Sequence, residues 1–439
     1  MSSYLLTLWN QIETSMKIIR LLAFLPFAAL AVAANAADTG KTSYSFAQCE
    51  GSLTLYPAEI PEVQYPDSLE PVFINHVGRH GARYPSSSAS CIALRGALSK
   101  ADSLGTITPL GRRLAALNER VITLSNGRWG ALDSVGVLEQ QGIAARMFAS
   151  FTDVFSREGT VRAISSYSPR AMMSMFAFVH QLDRLNNRNT FVTSTGRVNS
   201  YLMRPFDTDT AYLEFRQQKR WRPAFDQYFN SVCPTTAIRR VLGDGFPFES
   251  AAAQRELAFT EYHVLAGLQA MGLPSEMDVY FNADEANSLW SCFNLRQYLQ
   301  RTATTVSTVP ADIAADLVMD IISTTDAYID GSDGATCAVL RFGHAETLMP
   351  LLSLLHIPGC YYLTNYFDTV AAHWRDFDVV PMAANIQFIL FRSKTSGRHY
   401  MRVDLNERPV RLRKGDDSIY FPWGELRRYL TNCVPVYAQ

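Results

Sequence analysis

Short unbroken apolar runs recur along the chain, each followed by a stretch in which apolar side chains return at helical spacing. Residues 71–77, "PVFINHV", have the length and texture of a buried strand. The serine-rich "SSSAS" at 86–90 offers N-caps for a helix through "CIALRGALSKADSL". Residues 109–124 and 137–155 carry apolar positions at helical spacing. A second strand, "VRAISSYS" (161–168), leads into "PRAMMSMFAFVHQLDRL", where Ser168 suits an N-cap and Pro169 the first helical position, so Arg170 falls in the first turn. "CAVLRF" (337–342) is a third strand. After "GHAE" the run "TLMPLLSLLH" reads as a helix, and its Pro350 requires a position near the helix start. "ANIQFILFR" (384–392) and "HYMRVDLN" (399–406) flank "SKTSG" as a hairpin.

Between residues 195 and 335 the texture changes to an aromatic, mainly helical block. The pattern predicts an α/β fold, with a central, mostly parallel sheet flanked by helices and an inserted helical domain. The core takes in 37–194 and 336–439, and the insertion 195–335. Three strand-to-helix junctions place charged residues just beyond the strand. In open α/β sheets, ligands bind past the carboxyl ends of strands, where helix N-termini present free N–H groups. The three charged junctions are therefore expected to converge.

Composition narrows the classes. Across 439 residues, 40 Lys plus Arg against 41 Asp plus Glu leave a net charge of −1, so no overall charge draws the chain to nucleic acid or an anionic membrane. Any anion site must be a local cluster. From Met16 the chain reads "MKIIRLLAFLPFAALAVAANA": two cationic residues, an apolar run and a small-residue A-x-A pattern ending at Ala36. This is the layout of a secretory signal over 1–36 with Met16 as the start, and the run is shorter than a membrane span requires. The expectation is an exported protein, periplasmic or secreted, with no stable membrane insertion after cleavage. Seven widely spaced cysteines without a C-x-x-C pair argue against a zinc site; export would permit disulfides, and the odd count leaves at least one thiol outside any intrachain pairing.

The densest local chemistry follows the first strand. "RHGAR" (79–83) sets two guanidiniums four residues apart around an imidazole, with a glycine that lets backbone approach a ligand. Guanidinium forks match phosphate oxygens bidentately. His80 among them is a natural nucleophile toward phosphorus, since a phospho-histidine splits one displacement into two easier ones. Such a step needs no metal or cofactor where arginines neutralise the phosphoryl oxygens. The leaving alcohol still needs a proton. Glu346 in "FGHAE" is a candidate general acid, and His344 a further phosphate contact.

These residues resemble the histidine acid phosphatases of the branch 2 type, with R-H-G-x-R-x-P early and a histidine followed by a carboxylate late. "HAE", "RYP", "FGHAETLMPLLSLL", "AANIQFILFR" and "VDLNERPV" are similar to the multiple inositol polyphosphate phosphatases within that family. The resemblance runs from about residue 45 to the C-terminus. It implies His80 as nucleophile, Arg79 and Arg83 as phosphate clamps, Arg170 as a third arginine, His344 as a phosphate contact and Glu346 as proton donor. It further implies a histidine phosphatase-like fold and an inositol polyphosphate, phytate above all, as substrate. The alanine within "RHGAR" differs from the threonine of animal members.

Other charged positions have plainer readings. Lys219, Arg220 and Arg222 in "FRQQKRWRP" form a solvated face or, for a polyanionic substrate, a cleft wall from the inserted block. His76 stacks below the site or is a core histidine. A broad-specificity or sugar-phosphate phosphatase on the same scaffold, and a phosphate-binding protein without turnover, remain rival readings. The pairing of His80 with Glu346 disfavours the latter, because binding alone needs no acid.

Overall fold

The computed structural model describes residues 43–412 and 417–436. The 1–36 segment read as an export signal lies outside them. Among the described residues no helix is long and apolar enough to cross a membrane.

One sheet organises the chain. Its strands are β1 (Leu69–Arg79), β2 (Gly159–Ser165), β3 (Asn189–Ser194), β4 (Thr336–Gly343), β5 (Asn385–Ser393) and β6 (His399–Leu405), with the two-residue strands β7 (Arg408–Pro409) and β8 (Phe421–Pro422) beside β6. The spatial order is β3-β2-β4-β1-β5-β6-β7, with β8 also on β6. β3, β2, β4 and β1 run parallel; β5 and β6 continue antiparallel as the expected hairpin. β4 is buried throughout and β1 from Pro71 onward, which explains why both read as unbroken apolar runs.

Described helices of at least nine residues are α1 (Ala89–Ser103), α2 (Pro109–Ser125), α3 (Ser134–Ser150), α4 (Pro169–Leu185), α5 (Thr210–Gln218), α6 (Arg222–Val232), α7 (Ala251–Leu265), α8 (Ala283–Arg301), α9 (Ala315–Ile329), α10 (Ala345–Leu354) and α11 (Trp423–Cys433). On one face of the sheet, Ile74 of β1 and Leu340 of β4 share a core with Ile143 and Met147 of α3 and Phe178 of α4. On the other, Phe73, Val77 and Val339 pack among residues that include Val318 of α9 and Leu348 of α10. Between β3 and β4 every described element is helical.

Three local expectations shift. The helix expected over 137–155 starts at Ser134, where the Asp133 side chain accepts the Val135 N–H, and stops at Ser150 as Phe151 leaves helical backbone. α10 begins at Ala345, earlier than expected, so Pro350 lies inside the helix rather than near its start. β3 was not anticipated. It is an edge strand that turns Phe191 partly inward and leaves Thr190 and Val192 exposed, so it lacks the apolar run that marks a central strand. All seven cysteines are free thiols, six of them buried.

The sheet matters to function through its register. Arg79 pairs with Gly343, and Ser165 with Phe342, so β1, β2 and β4 end at one level. Their three following junctions open on the same space.

Candidate active site

The "RHGAR" loop leaves β1 and is fixed by backbone on both sides: His80 N–H donates to the Gly343 carbonyl (3.1 Å), and Ala383 N–H donates to the His80 carbonyl (3.1 Å). Gly81 has a different reason from the one expected. A Cβ there would lie 2.4 Å from the carbonyl oxygen of Gly136, so the glycine allows the loop to rest on the start of α3 rather than to approach a ligand. The loop is held further by Ser174 Oγ, which accepts the Gly81 N–H (3.1 Å), by Glu139 Oε2, which accepts the Ala82 N–H (2.7 Å), and by Gln140 Nε2, which donates to the Arg79 carbonyl (2.9 Å).

A cleft of about 270 Å³ opens above this loop, and Arg79, His80, Arg83, Arg170 and Glu346 all line it. His80 is 3% exposed. Its Nδ1 lies 2.9 Å from the Gly81 carbonyl oxygen, which only accepts, so Nδ1 carries the proton and Nε2 the lone pair of the neutral ring. Burial, then Arg170 and Arg79, push the imidazolium form well below the ordinary histidine range. The site therefore favours the neutral ring, with its Nε2 lone pair free.

The three arginines are positioned differently. Arg79 is buried and donates through Nη1 to the carbonyls of Ser52 and Val380, 2.5 Å each. Arg83 donates to its neighbour's carbonyl at Tyr84 (2.9 Å). Arg170, in the first turn of α4, sets Nη2 3.4 Å from His344 Nδ1. The Nε of each is buried without a hydrogen-bond partner among the described residues. Burial lowers all three, Arg79 to about 10 and Arg83 to about 9, the latter helped by repulsion from Arg170 and Arg79. Crowded guanidiniums with open donors are an anion site in waiting.

His344 caps the N-terminus of α10 behind the cleft floor, its ring centroid 5.4 Å from that of His80. Its Nε2 lies 2.9 Å from both Ser166 Oγ and Arg204 Nη1. Burial, then Arg170, keep the ring neutral. Glu346 follows in the first turn of α10. Burial alone would raise its carboxyl, but Arg301, with Nη2 3.2 Å from Oε1, holds it well below the usual carboxylate range. Without an anion in the cleft, then, the candidate acid is ionised.

Of the residues expected here, Arg79, His80, Arg83, Arg170 and Glu346 thus line one cleft, while His344, expected as a phosphate contact, is 1% exposed and outside its lining. Lys219, Arg220 and Arg222 do not line it either. They are exposed at the α5–α6 junction, and Arg222 pairs with Asp226 one turn on (3.1 Å). The apolar faces of α5 and α6, carrying Tyr212, Phe215, Phe225 and Phe229, turn inward and send these cations to solvent. His76 is a core residue, 1% exposed, with its ring 5.2 Å from those of Phe178 and Phe342 and its basicity pushed down to about 3 by burial. Sequence reasoning missed Arg204, Arg301, Ser166 and Glu139. Ser166 lies at the β2–α4 junction, and this position was its signal. The other three sit within helices or irregular turns and have none.

No protein-family model matches the chain. In sequence it is 26% identical over 386 residues to "Multiple inositol polyphosphate phosphatase 1" of Homo sapiens, covering 81% of this chain and 79% of the relative. It is 25% identical to the Gallus gallus protein of the same name, covering 84% of each. In fold it is similar to the Bifidobacterium longum multiple inositol polyphosphate phosphatase, with a TM-score of 0.76 at 19% identity over 89% of this chain and 99% of that one, and to a complex of that protein with inositol hexasulfate. The junctions after β1 and β4 meet around one imidazole, and over most of its length the chain is similar in sequence to the multiple inositol polyphosphate phosphatases and shares the fold of one of them.

Proposed function

We propose that the protein is an exported, metal-independent phosphomonoesterase of inositol polyphosphates, phytate above all, working through phospho-His80. In the first step Nε2 of His80 attacks phosphorus, the bond from phosphorus to the alcohol oxygen breaks, and the Glu346 carboxyl passes its proton to that oxygen. In the second, water attacks phosphorus, the N–P bond breaks, and Glu346 takes the water's proton. Arg79, Arg83 and Arg170 meet the charge on the phosphoryl oxygens, the task a metal performs elsewhere.

The observation that carries this reading is the Nδ1 to Gly81 hydrogen bond, which leaves a nucleophilic lone pair on a ring lining a cleft of guanidiniums. The substrate class is supported by the relatives' names and by the inositol hexasulfate complex of a protein with the same fold. Export rests on the Met16–Ala36 pattern. An acidic working range follows from the need for a protonated Glu346.

The test is phosphate release from phytate, glucose 1-phosphate and p-nitrophenyl phosphate, with EDTA present, from acid to neutral pH, for wild type and His80→Ala. A strong preference for phytate, lost in His80→Ala, is expected. Turnover of the small esters alone moves the assignment to a general acid phosphatase. A wild type inert on all three removes the enzymatic reading, and loss of activity in EDTA removes metal independence.

A further inference from the structure

Arg301 is the last residue of α8, on the side of the cleft supplied by the helical stretch between β3 and β4. Gln297, one turn earlier and itself lining the cleft, accepts the Arg301 Nε–H at 3.0 Å, while Nη2 faces Glu346 at 3.2 Å. The guanidinium is therefore aimed, with one edge on Gln297 and the other on the carboxylate. The pair is not sealed off, since the Glu346 side chain is 33% exposed and that of Arg301 20%. The other groups facing Glu346 are Arg79 and Arg83 of the nucleophile loop, Arg170 at the start of α4, His344 at its own junction and the Tyr212 phenol of α5. Arg79, Arg83 and Arg170 are accounted for by the phosphate being cleaved. Arg301 is bound instead to the group that must deliver a proton, and a carboxylate in an ion pair cannot deliver one.

A polyphosphorylated ring brings a second phosphate beside the scissile one, and a monophosphate ester does not. Phosphate dianion is a stronger partner for a guanidinium fork than one carboxylate oxygen. We infer that Arg301 makes the proton donor answer to the charge of the substrate: a phosphate next to the scissile one draws the guanidinium off Glu346, and only then does that carboxyl take up its proton. The inference rests on the proposed role of Glu346 and on a polyphosphorylated substrate. The return stroke follows from the same contact. When the alcohol product leaves with its neighbouring phosphate, Arg301 pairs again with the carboxylate that proton donation has left, the form that accepts the proton of the attacking water. Proton balance closes over the cycle, because the proton given to the alcohol in the first step is recovered from water in the second. Selectivity for polyphosphates then appears in kcat as well as in binding.

The test compares the pH dependence of kcat for phytate, glycerol 2-phosphate and p-nitrophenyl phosphate in wild type, Arg301→Gln and Arg301→Lys, with thermal melts to confirm folding. In wild type the fall of kcat on the alkaline side is expected at a higher pH for phytate than for glycerol 2-phosphate. The aryl ester, whose leaving group needs no proton, is expected to show no such limb. Arg301→Gln should move the glycerol 2-phosphate limb up by about one unit or more, the effect of removing one adjacent opposite charge, and erase its difference from phytate. Arg301→Lys, which keeps the charge, should keep much of the wild-type difference. A glycerol 2-phosphate limb unmoved in Arg301→Gln, or an equal loss on all three esters without change of profile, overturns the inference while leaving phytate hydrolysis standing. Failure of wild type to act on phytate removes the proposed substrate and the inference with it.

Discussion

Glu139 accepts the backbone N–H of Ala82 at 2.7 Å through one carboxyl oxygen and that of Tyr56 at 2.9 Å through the other. One side chain on α3 thereby ties the loop that carries His80 to the segment that precedes β1. Glu139→Gln keeps the size but replaces one acceptor with an NH2 group, so one of the two N–H groups must face a donor. The expected cost is about 1–3 kcal/mol of stability, the penalty for a buried donor left without its acceptor. Displacement of the nucleophile loop is expected to lower kcat on the order of 10- to 100-fold. Melting and steady-state kinetics on p-nitrophenyl phosphate check this; wild-type values for both would show that the tether positions nothing.

Glu346→Gln retains the volume of the carboxyl and cannot give or take the proton. An alkyl phosphate needs its leaving oxygen protonated as the P–O bond breaks, whereas p-nitrophenolate departs without help. The alkyl ester is therefore expected to lose on the order of 10²–10⁴-fold in kcat, the usual worth of general acid catalysis, and the aryl ester far less. Equal losses on the two would take Glu346 out of the acid role.

Arg79, Arg83 and Arg170 each bury an Nε without a hydrogen-bond partner among the described residues, and they repel one another across the cleft. Inorganic phosphate bound among them relieves the repulsion. At 100 times its Kd it is expected to add about 2.7 kcal/mol of stability, read as a rise in melting temperature over a chloride control of equal ionic strength. Arg83→Met should shrink the rise, and since it removes a repulsive cation it should melt no lower than wild type without phosphate. A phosphate effect no larger than that of chloride would deny the cleft its anion site.

The parts of this site that lie next to each other in sequence were the parts that could be read. Arg79, His80 and Arg83 follow directly on a buried run, and His344 and Glu346 on another. Because parallel strands end at one level, two such junctions suffice to locate a cleft. Arg204 and Arg301 escaped because neither stands at a strand end; each reaches the site only after the helical stretch folds over the sheet. Lys219, Arg220 and Arg222 show the converse. Of their two readings the solvated face holds, because the aromatic faces of α5 and α6 turn inward and decide where these cations point. β3 was missed for a physical reason too, since an edge strand with one side in water carries half the apolar signal of a central one.

Stability should have a plateau on the acid side and fall on either side of it. Four buried carboxyls keep their protons in the folded state well above ordinary values, chiefly through burial: Glu50 and Glu261 to about 8, Glu139 to about 7 and Asp376 to about 6. Their unfolded counterparts lose the proton near pH 4, so above that the folded state binds more protons and stability declines as pH rises. Three buried histidines and the half-buried His263 act in the opposite sense. His76 and His263 are pushed down to about 3, and His80 and His344 well below the ordinary range, so below about pH 6.5 the unfolded chain takes up protons that the folded one refuses. Between about pH 4.5 and 6 the two sets offset each other. From about pH 6.5 to 8 the raised carboxyls still differ, and stability falls; below about pH 4 the histidines differ, joined by Glu346, whose carboxyl Arg301 holds low, and it falls again. Glu261 isolates one contribution, because both its oxygens are buried without a hydrogen-bond partner among the described residues and Glu261→Gln breaks no bond. That variant should reduce the slope of unfolding free energy against pH between 6.5 and 8 by about one proton, or roughly 1.4 kcal/mol per pH unit. Denaturant titrations in phosphate-free buffers measure it, and an unchanged slope would mean that Glu261 is already ionised in the folded protein.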